Sequence, residues 1–222
     1  MARDVSMSEG RFIVLEGGDG VGKTTQAALL SAWMTARDIP HLVAREPGGT
    51  EVGEAIREIV LGRRDLEMPA ESELLLILAA RAAFVHDVVR PALAEGKIVL
   101  ADRFALSTLA YQGYGRGLAL DDVRAGLAIA TRGLTPHLTI LLTLPRQVIE
   151  ERTLRSGAEP DRIEQEGFDF LARVRAGYLE MAETEPGVTV VDARGAPEDV
   201  HARLRRLLET RFADPFGEDV VA

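Results

Sequence analysis

"FIVLEGGDGVGKTTQ", residues Phe12–Gln26, sets an apolar run directly against glycines followed by a lysine and two threonines. Glycine has the largest conformational freedom to lose on folding, so a glycine cluster beside a core-forming strand needs a reason. Phosphate binding supplies one. Without Cβ atoms the backbone can turn its N–H groups inward around an anion, and a helix starting near Lys23 adds its positive end. "GGDGVGKT", Gly17–Thr24, fits G-x-x-x-x-G-K-[ST], a pattern that a chain of this length meets by chance roughly once in a hundred. It also falls between a predicted strand and a predicted helix, as the mechanism requires. Gly17, Gly18, Asp19, Gly20, Val21, Gly22, Lys23, Thr24 and Thr25 are therefore the candidate cradle for a nucleoside triphosphate. Lys23 is placed to reach the β- and γ-phosphates and the Thr24 hydroxyl to ligate Mg2+.

Outward from this stretch, short apolar runs alternate with longer helical ones. Strands are expected at Arg11–Glu16, His41–Arg45, Lys97–Ala101, His137–Thr143 and Val188–Asp192, each crowded with apolar residues as in parallel strands covered on both faces. Between them, Gln26–Ala36 puts Leu29, Leu30, Trp33 and Met34 on one helical face, and Phe170, Val174 and Tyr178 recur at i, i+4, i+8. This alternation predicts an α/β fold with a doubly wound parallel sheet, here of the P-loop NTPase kind. Residues 11–212 read as a single domain, 1–10 as an N-terminal tail, and 213–222 as a tail expected to fray.

Composition narrows the partners. The 222 residues carry a formal charge of −9, which argues against a nucleic-acid wrapper or a binder of anionic membranes. The longest apolar run, Leu74–Ala80, is stopped by Arg81, far short of the ~20 residues that span a bilayer. No signal-peptide pattern opens the chain, so a cytoplasmic location is the expectation. Cysteine is absent, which removes disulfides and thiolate chemistry, and Lys23 and Lys97 are the only lysines. Arginine therefore supplies almost all the positive charge, in a form suited to forked recognition of phosphate and carboxylate.

Three classes of nucleotide-binding protein compete. A guanine-reading GTPase of the usual kind carries Asn-Lys-x-Asp, and this chain has no asparagine. A motor or assembly ATPase is expected to show an acidic pair after an apolar strand. Here "IVLADRF", Ile98–Phe104, gives the single Asp102 followed by Arg103. An arginine beside a metal-binding carboxylate suggests a second anion at the same place, as a phosphorylated acceptor would supply.

Four ordered segments then make a specific resemblance: "EGGDGVGKTTQ" (Glu16–Gln26), "REPGGTEVGEAIR" (Arg45–Arg57), "DRFALSTLAYQGYGRGL" (Asp102–Leu118) and "DRIEQEGFDFLARVRAGYLE" (Asp161–Glu180). Together they resemble the thymidylate kinase family from about Phe12 to Leu208. The resemblance implies a five-stranded parallel sheet, a mobile lid, a homodimer packed through helices, and transfer of the γ-phosphoryl of ATP to dTMP to give dTDP for dTTP synthesis. It implies that Arg45 and Pro47 frame the acceptor phosphate, that Asp19 meets the acceptor 3′-hydroxyl, and that Asp102 holds Mg2+ through water while Arg103 forks onto the phosphates. Ser107, Tyr111 and Gln112 fall at i, i+4 and i+5 and share a helix side. By resemblance, Gln112 offers hydrogen bonds to the pyrimidine and Tyr111 lies under the sugar. Arg81 has two open readings. It pairs with a core carboxylate, because an unpaired buried charge is costly, or it reaches a pocket where the family uses it on the thymine edge.

The chain also departs from the family pattern. Ile77 stands where many relatives stack an aromatic on thymine, which leaves Phe104 as a compensating ring, and Phe104 itself replaces a common tyrosine. Leu142 stands where an acid near the end of the fourth strand is often found, and Arg146 follows Pro145. Gly20 replaces an arginine that some relatives carry in the glycine loop, so the positive charge must come from elsewhere. "ERTLRSGAEPDR", Glu151–Arg162, supplies Arg152, Arg155 and Arg162 around Ser-Gly and Glu-Pro breakers, the composition of a hinged flap. Arg155, with Arg152 beside it, is the expected lid cation. Adenine is expected against "VDARG" after the fifth strand. The alternatives are a kinase for another pyrimidine monophosphate, which the loss of the stacking aromatic keeps open, and a non-catalytic nucleotide-binding module.

Overall fold

The computed structural model describes residues 10–156 and 161–217. Five strands, β1 (Arg11–Glu16), β2 (His41–Arg45), β3 (Ile98–Asp102), β4 (Leu138–Thr143) and β5 (Val188–Asp192), form one parallel sheet in the order β2-β3-β1-β4-β5. Central β1 is buried on both faces, with Phe12, Ile13, Val14 and Leu15 at 0–1% exposure. The edge strands β2 and β5 are covered less, and Val43 and Val190 remain 42% and 49% exposed. An edge strand has a neighbour on one side only, so continuous burial fits the three inner strands and not the outer two.

The helices follow in chain order: α1 (Lys23–Thr35), α2 (Glu51–Arg57), α3 (Ala70–Phe84), α4 (Arg90–Ala94), α5 (Ala105–Thr108), α6 (Leu120–Thr131), α7 (Arg146–Ser156), α8 (Phe168–Thr184), α9 (Pro197–Arg211) and α10 (Ala213–Phe216). Wider π-type turns carry α2 on to Gly62, join α3 to α4, and carry α5 on to Gly115. Helix α1 buries Gln26, Ala27, Leu30, Trp33 and Met34 along one face, which packs with β1, β3 and α9 into one core. On the other side of the sheet, α3, α6 and α8 share a second core through Leu74, Leu127, Val174 and their neighbours.

Expected and observed strands agree within a residue, the shifts being at β3 and β4. The C-terminal expectation needs correction. Residues 213–217 do not hang free: Phe216 is fully buried and stacks on Trp33, with ring centroids 5.4 Å apart and planes 12° from parallel. Arg37 donates to the Phe216 and Gly217 carbonyls, the latter at 2.9 Å, so residues 213–217 are fastened by an aromatic and a charged contact.

The topology places the site. β1 lies between β3 and β4, and the chain crosses from one side of it to the other between them, so a crevice opens beyond the C-terminal ends of the strands. Ligands of open α/β sheets dock at such a switch point. Here it gathers the loop after β1, Arg45 at the end of β2, and Asp102 and Arg103 at the end of β3.

Candidate active site

A cleft of about 2060 Å³ runs across the glycine loop. Gly17 to Thr25 line its middle, Arg45, Arg57 and Tyr111 one end, and Ala193, Gly195 and Pro197 the other. Gly17, Gly20 and Gly22 take φ of 134°, 76° and 101°, the left-handed region that a side chain would strain. A Cβ on Gly17 would also stand 2.5 Å from the Leu142 carbonyl oxygen, so the close approach of loop to β4 depends on glycine.

Lys23 opens α1 and folds back over the loop, its Nζ donating to the Gly17 and Gly18 carbonyls at 3.0 and 2.9 Å. Burial, and then the neighbouring Arg103 charge, lower its pKa to about 8, against the pull of Asp19, Asp102 and Glu16. Thr24 Oγ1 donates to Asp102 Oδ2 at 3.0 Å. These are two hard oxygen ligands side by side at the mouth of the cradle, which suits a magnesium ion. No cluster of three or more His, Asp or Glu stands ready to hold a metal among the described residues, so such an ion would complete its shell with water and phosphate oxygens. Leu142, where an acid was in question, is 1% exposed in the core and contributes nothing to that shell.

Arg103 is the centre of the wall. Its φ of 76° is one that non-glycine residues rarely hold, and the side chain is fixed from several directions. Nη1 donates to the Gly17 carbonyl (3.1 Å), Ser107 Oγ (3.1 Å) and the Tyr178 hydroxyl (3.2 Å). Nη2 donates to Asp19 Oδ1 and to the Tyr111 hydroxyl, whose own proton goes to Asp19 Oδ2 at 2.8 Å. Burial works to raise the Asp19 pKa, but Arg103, Lys23 and Tyr111 together hold it at about 2, so Asp19 is an anion throughout the neutral range. Burial keeps the Tyr111 and Tyr178 hydroxyls protonated and able to donate.

Of the lid cations, Arg152 places its guanidinium over the loop, 3.8 Å from where a Cβ on Gly22 would sit. The side chain of Arg155 lies outside the described residues. Arg162 does not serve the cleft. It is 7% exposed, donates to the Val60 carbonyl at 2.6 Å, and pairs with Glu73. Arg146, after Pro145, pairs with Glu150 at 2.6 Å and sits over the Phe168 ring, 3.5 Å from its centroid.

Arg45 lines the cleft and pairs with Glu54 at 3.3 Å, both about half exposed. Pro47 stands just behind it and accepts at its carbonyl from Arg57 Nη1 at 3.0 Å. Three residues expected to touch the acceptor are instead behind the wall. Arg81, 2% exposed, gives Nε to Glu46 at 2.6 Å, Nη1 to Thr108 Oγ1 at 2.6 Å and Nη2 to the Phe104 carbonyl at 2.9 Å. Of its two readings, pairing with a core carboxylate is the one this geometry displays. Gln112 is 1% exposed and donates to Glu73 at 2.9 Å, and Ser107 lies under Arg103. Phe104 does not replace a stacking ring either: it is 1% exposed and packs edge-on against Phe12, with centroids 4.9 Å apart.

Sequence reasoning missed the carboxylates that organise this wall. Glu16, Glu46 and Glu73 are all buried, and each gathers donors from segments distant in the chain. It also missed Glu164, which lines the cleft and whose pKa is raised by burial despite the Asp161 N–H and further by the Asp19 charge. The one available signal was Glu16, an acid that follows the apolar run Phe12–Leu15 within a strand.

A phosphate cradle with a metal-competent oxygen pair, sharing one cleft with an arginine-centred bay for a second anion, defines a P-loop kinase of small phosphorylated acceptors. The family model described as thymidylate kinase matches residues 15–204. A thymidylate kinase of Desulforudis audaxviator is 49% identical over 208 residues, covering 91% of this chain and 93% of that protein. One from a Synechococcus strain is 48% identical over 202 residues, covering 90% and 95%. The crystal structure of thymidylate kinase from Ehrlichia chaffeensis superposes with a TM-score of 0.70 at 28% identity, covering 90% of this chain and 98% of that one. The chain belongs to the thymidylate kinase family.

Proposed function

We propose that this chain transfers the γ-phosphoryl group of ATP to dTMP, giving dTDP, with the glycine loop as donor cradle and the bay around Arg45, Arg103 and Tyr111 as acceptor site. The observation that carries the reading is Arg103: its guanidinium lies in the same cleft as Lys23, locked to Asp19 of the glycine loop on one side and to Tyr111 on the other. Two phosphate chains meeting there repel each other, and a fixed fork of N–H donors is suited to offset that repulsion. The acceptor phosphate is itself the nucleophile, so no general base is required. Lys23 exchanges its two carbonyl contacts for donor phosphate oxygens, and Arg152 adds charge from α7, the part that the sequence assigns first to Arg155. Mg2+ held between Thr24 and Asp102 would withdraw charge from the donor phosphate oxygens.

Pairing of two copies through α3 and α6 and a cytoplasmic location are parts of the same proposal. The pairing is supported by Leu75 and Ile129, which are 66% and 81% exposed on those helices. Among the described residues no helix is long and apolar enough to cross a membrane. Offering ATP and Mg2+ with each nucleoside monophosphate in turn, and following ADP release, tests the reading. dTMP is expected to be preferred, and preference for dUMP or CMP would overturn it.

A pH dependence follows from Lys23. In the free protein its ammonium loses its proton near pH 8, whereas phosphate oxygens stabilise the charged form. Binding of ATP above pH 8 must therefore take up a proton. ATP affinity is expected to weaken by up to about tenfold per pH unit above 8. Calorimetry at pH 8.5 in buffers of different ionisation enthalpy should register that uptake, and equal heats in all buffers would contradict it.

A further inference from the structure

Beneath Arg103 lies a group that no ligand can touch. Glu16, the last residue of β1, has no exposed surface and does not line the cleft. One carboxylate oxygen accepts the backbone N–H groups of Phe104 (2.8 Å) and Ser107 (3.1 Å). These are at the first turn of α5, where helical N–H groups lack partners, so β1 caps a helix some ninety residues further along the chain. The other oxygen accepts the Ser107 hydroxyl at 2.6 Å and the Tyr178 hydroxyl at 3.1 Å.

Those two hydroxyls are also the ones that accept from Arg103 Nη1. A hydroxyl has one proton, and its direction decides which side is left as acceptor. An ionised carboxylate can only accept: Ser107 gives it its hydroxyl proton, and the Tyr178 proton goes to it or to Ser107 Oγ, 2.8 Å away, so either way lone pairs of both hydroxyls are left facing the guanidinium. We propose that Glu16 is a positioning residue for the acceptor-side arginine: it sets the polarity of the Ser107–Tyr178 pair so that both hydroxyls hold Arg103 in the direction phosphate binding needs. This rests on the dTMP kinase reading above. It also links α8, which carries Tyr178, to the acceptor wall through β1.

Glu16→Gln separates this from a purely structural role. The two backbone N–H donors keep the amide oxygen on their side, so the α5 cap survives. The amide nitrogen then occupies the other position, where it donates to the hydroxyls; one of the pair can still donate to the other, 2.8 Å away, and the remaining proton is turned toward Arg103. The expected result is a KM for dTMP raised about tenfold, the size of one lost charge-assisted hydrogen bond, with the KM for ATP within about twofold. Tyr178→Phe alone should raise the dTMP KM about threefold, and in the Glu16→Gln background it should cost nothing further, because the pair it breaks is already misdirected.

Equal effects on both substrates, or fully additive effects of the two changes, would overturn the proposal. Should Glu16→Gln fail to fold, Tyr178→Phe still decides: an unchanged dTMP KM, or one that moves in parallel with the ATP KM, rejects it. Wild-type turnover with dTMP is measured alongside. Its absence would refute the functional reading rather than the role of Glu16.

Discussion

Replacing Arg103 with alanine is expected to lower kcat with dTMP by about a thousandfold while ATP affinity stays within about threefold, as for a donor aimed at charge that develops during transfer. The asymmetry comes from where Arg103 is attached. It is held by the glycine loop, Ser107, Tyr111 and Tyr178, but the cradle that wraps a triphosphate is built from backbone N–H groups and Lys23, which keep their places without it. A second readout follows from charge. Arg103 is one of the groups depressing the Lys23 pKa, so its removal should move the pH dependence of ATP binding upward. Arg103→Lys keeps the charge, loses the fork, and should recover only part of the rate. Single-turnover rates together with ATP titration decide the matter. Turnover within about tenfold of wild type would remove Arg103 from the mechanism.

The largest stability effect is expected at Glu73. Its carboxylate is fully buried on α3 and receives Gln112 Nε2 (2.9 Å), Arg116 Nε (3.1 Å) and Nη2 (2.7 Å), and Arg162 Nη2. Glu73→Ala takes the buried carboxylate from two guanidinium groups, leaving Arg116 its pairing with Glu166 at 2.6 Å but the almost wholly enclosed Arg162 with the neutral Val60 carbonyl, and should cost about 4 kcal/mol in urea unfolding. Glu73→Gln keeps an acceptor oxygen and should cost about half as much. Burial works to raise the Glu73 pKa, but hydrogen bonds from Arg116, Arg162 and Gln112 prevail and lower it. The stabilisation is therefore present above the ordinary glutamate range and lost as the pH falls through the lowered value, so the alanine variant should lose less stability on acidification than wild type does. A loss under about 1 kcal/mol would mean that these arginines find other partners.

The contrast between what the chain displays in order and what it hides is physical. Strand, loop and helix from Phe12 to Thr35 are consecutive, and Asp102 and Arg103 are adjacent, so patterns confined to a few residues give away the donor site and the centre of the acceptor wall. Arg81, Ser107 and Gln112 could not be placed the same way. Their positions are set by Glu46, Glu16 and Glu73, lying 35, 91 and 39 residues away. A sequence shows that a buried arginine needs a partner. It does not show which of many acids the fold will bring to it. The lid splits along the same line: Arg152 faces the loop, while Arg162, similar in composition and only ten positions on, is drawn into the core by Glu73. Residues 213–217 follow the rule as well, since their place at a terminus suggested fraying but Phe216 finds Trp33 from far along the chain.

The central claim is that one cleft holds two phosphate chains end to end, with Arg103 between them. A crystal structure of the protein with ADP, Mg2+ and dTMP tests it most directly. The expected result is the ADP β-phosphate inside the glycine loop, the metal between Thr24 and Asp102, and the dTMP phosphate on Arg103 and Arg45 facing it. A dTMP phosphate turned away from Arg103, or a cleft that admits only one nucleotide, would rule out end-to-end transfer at Arg103.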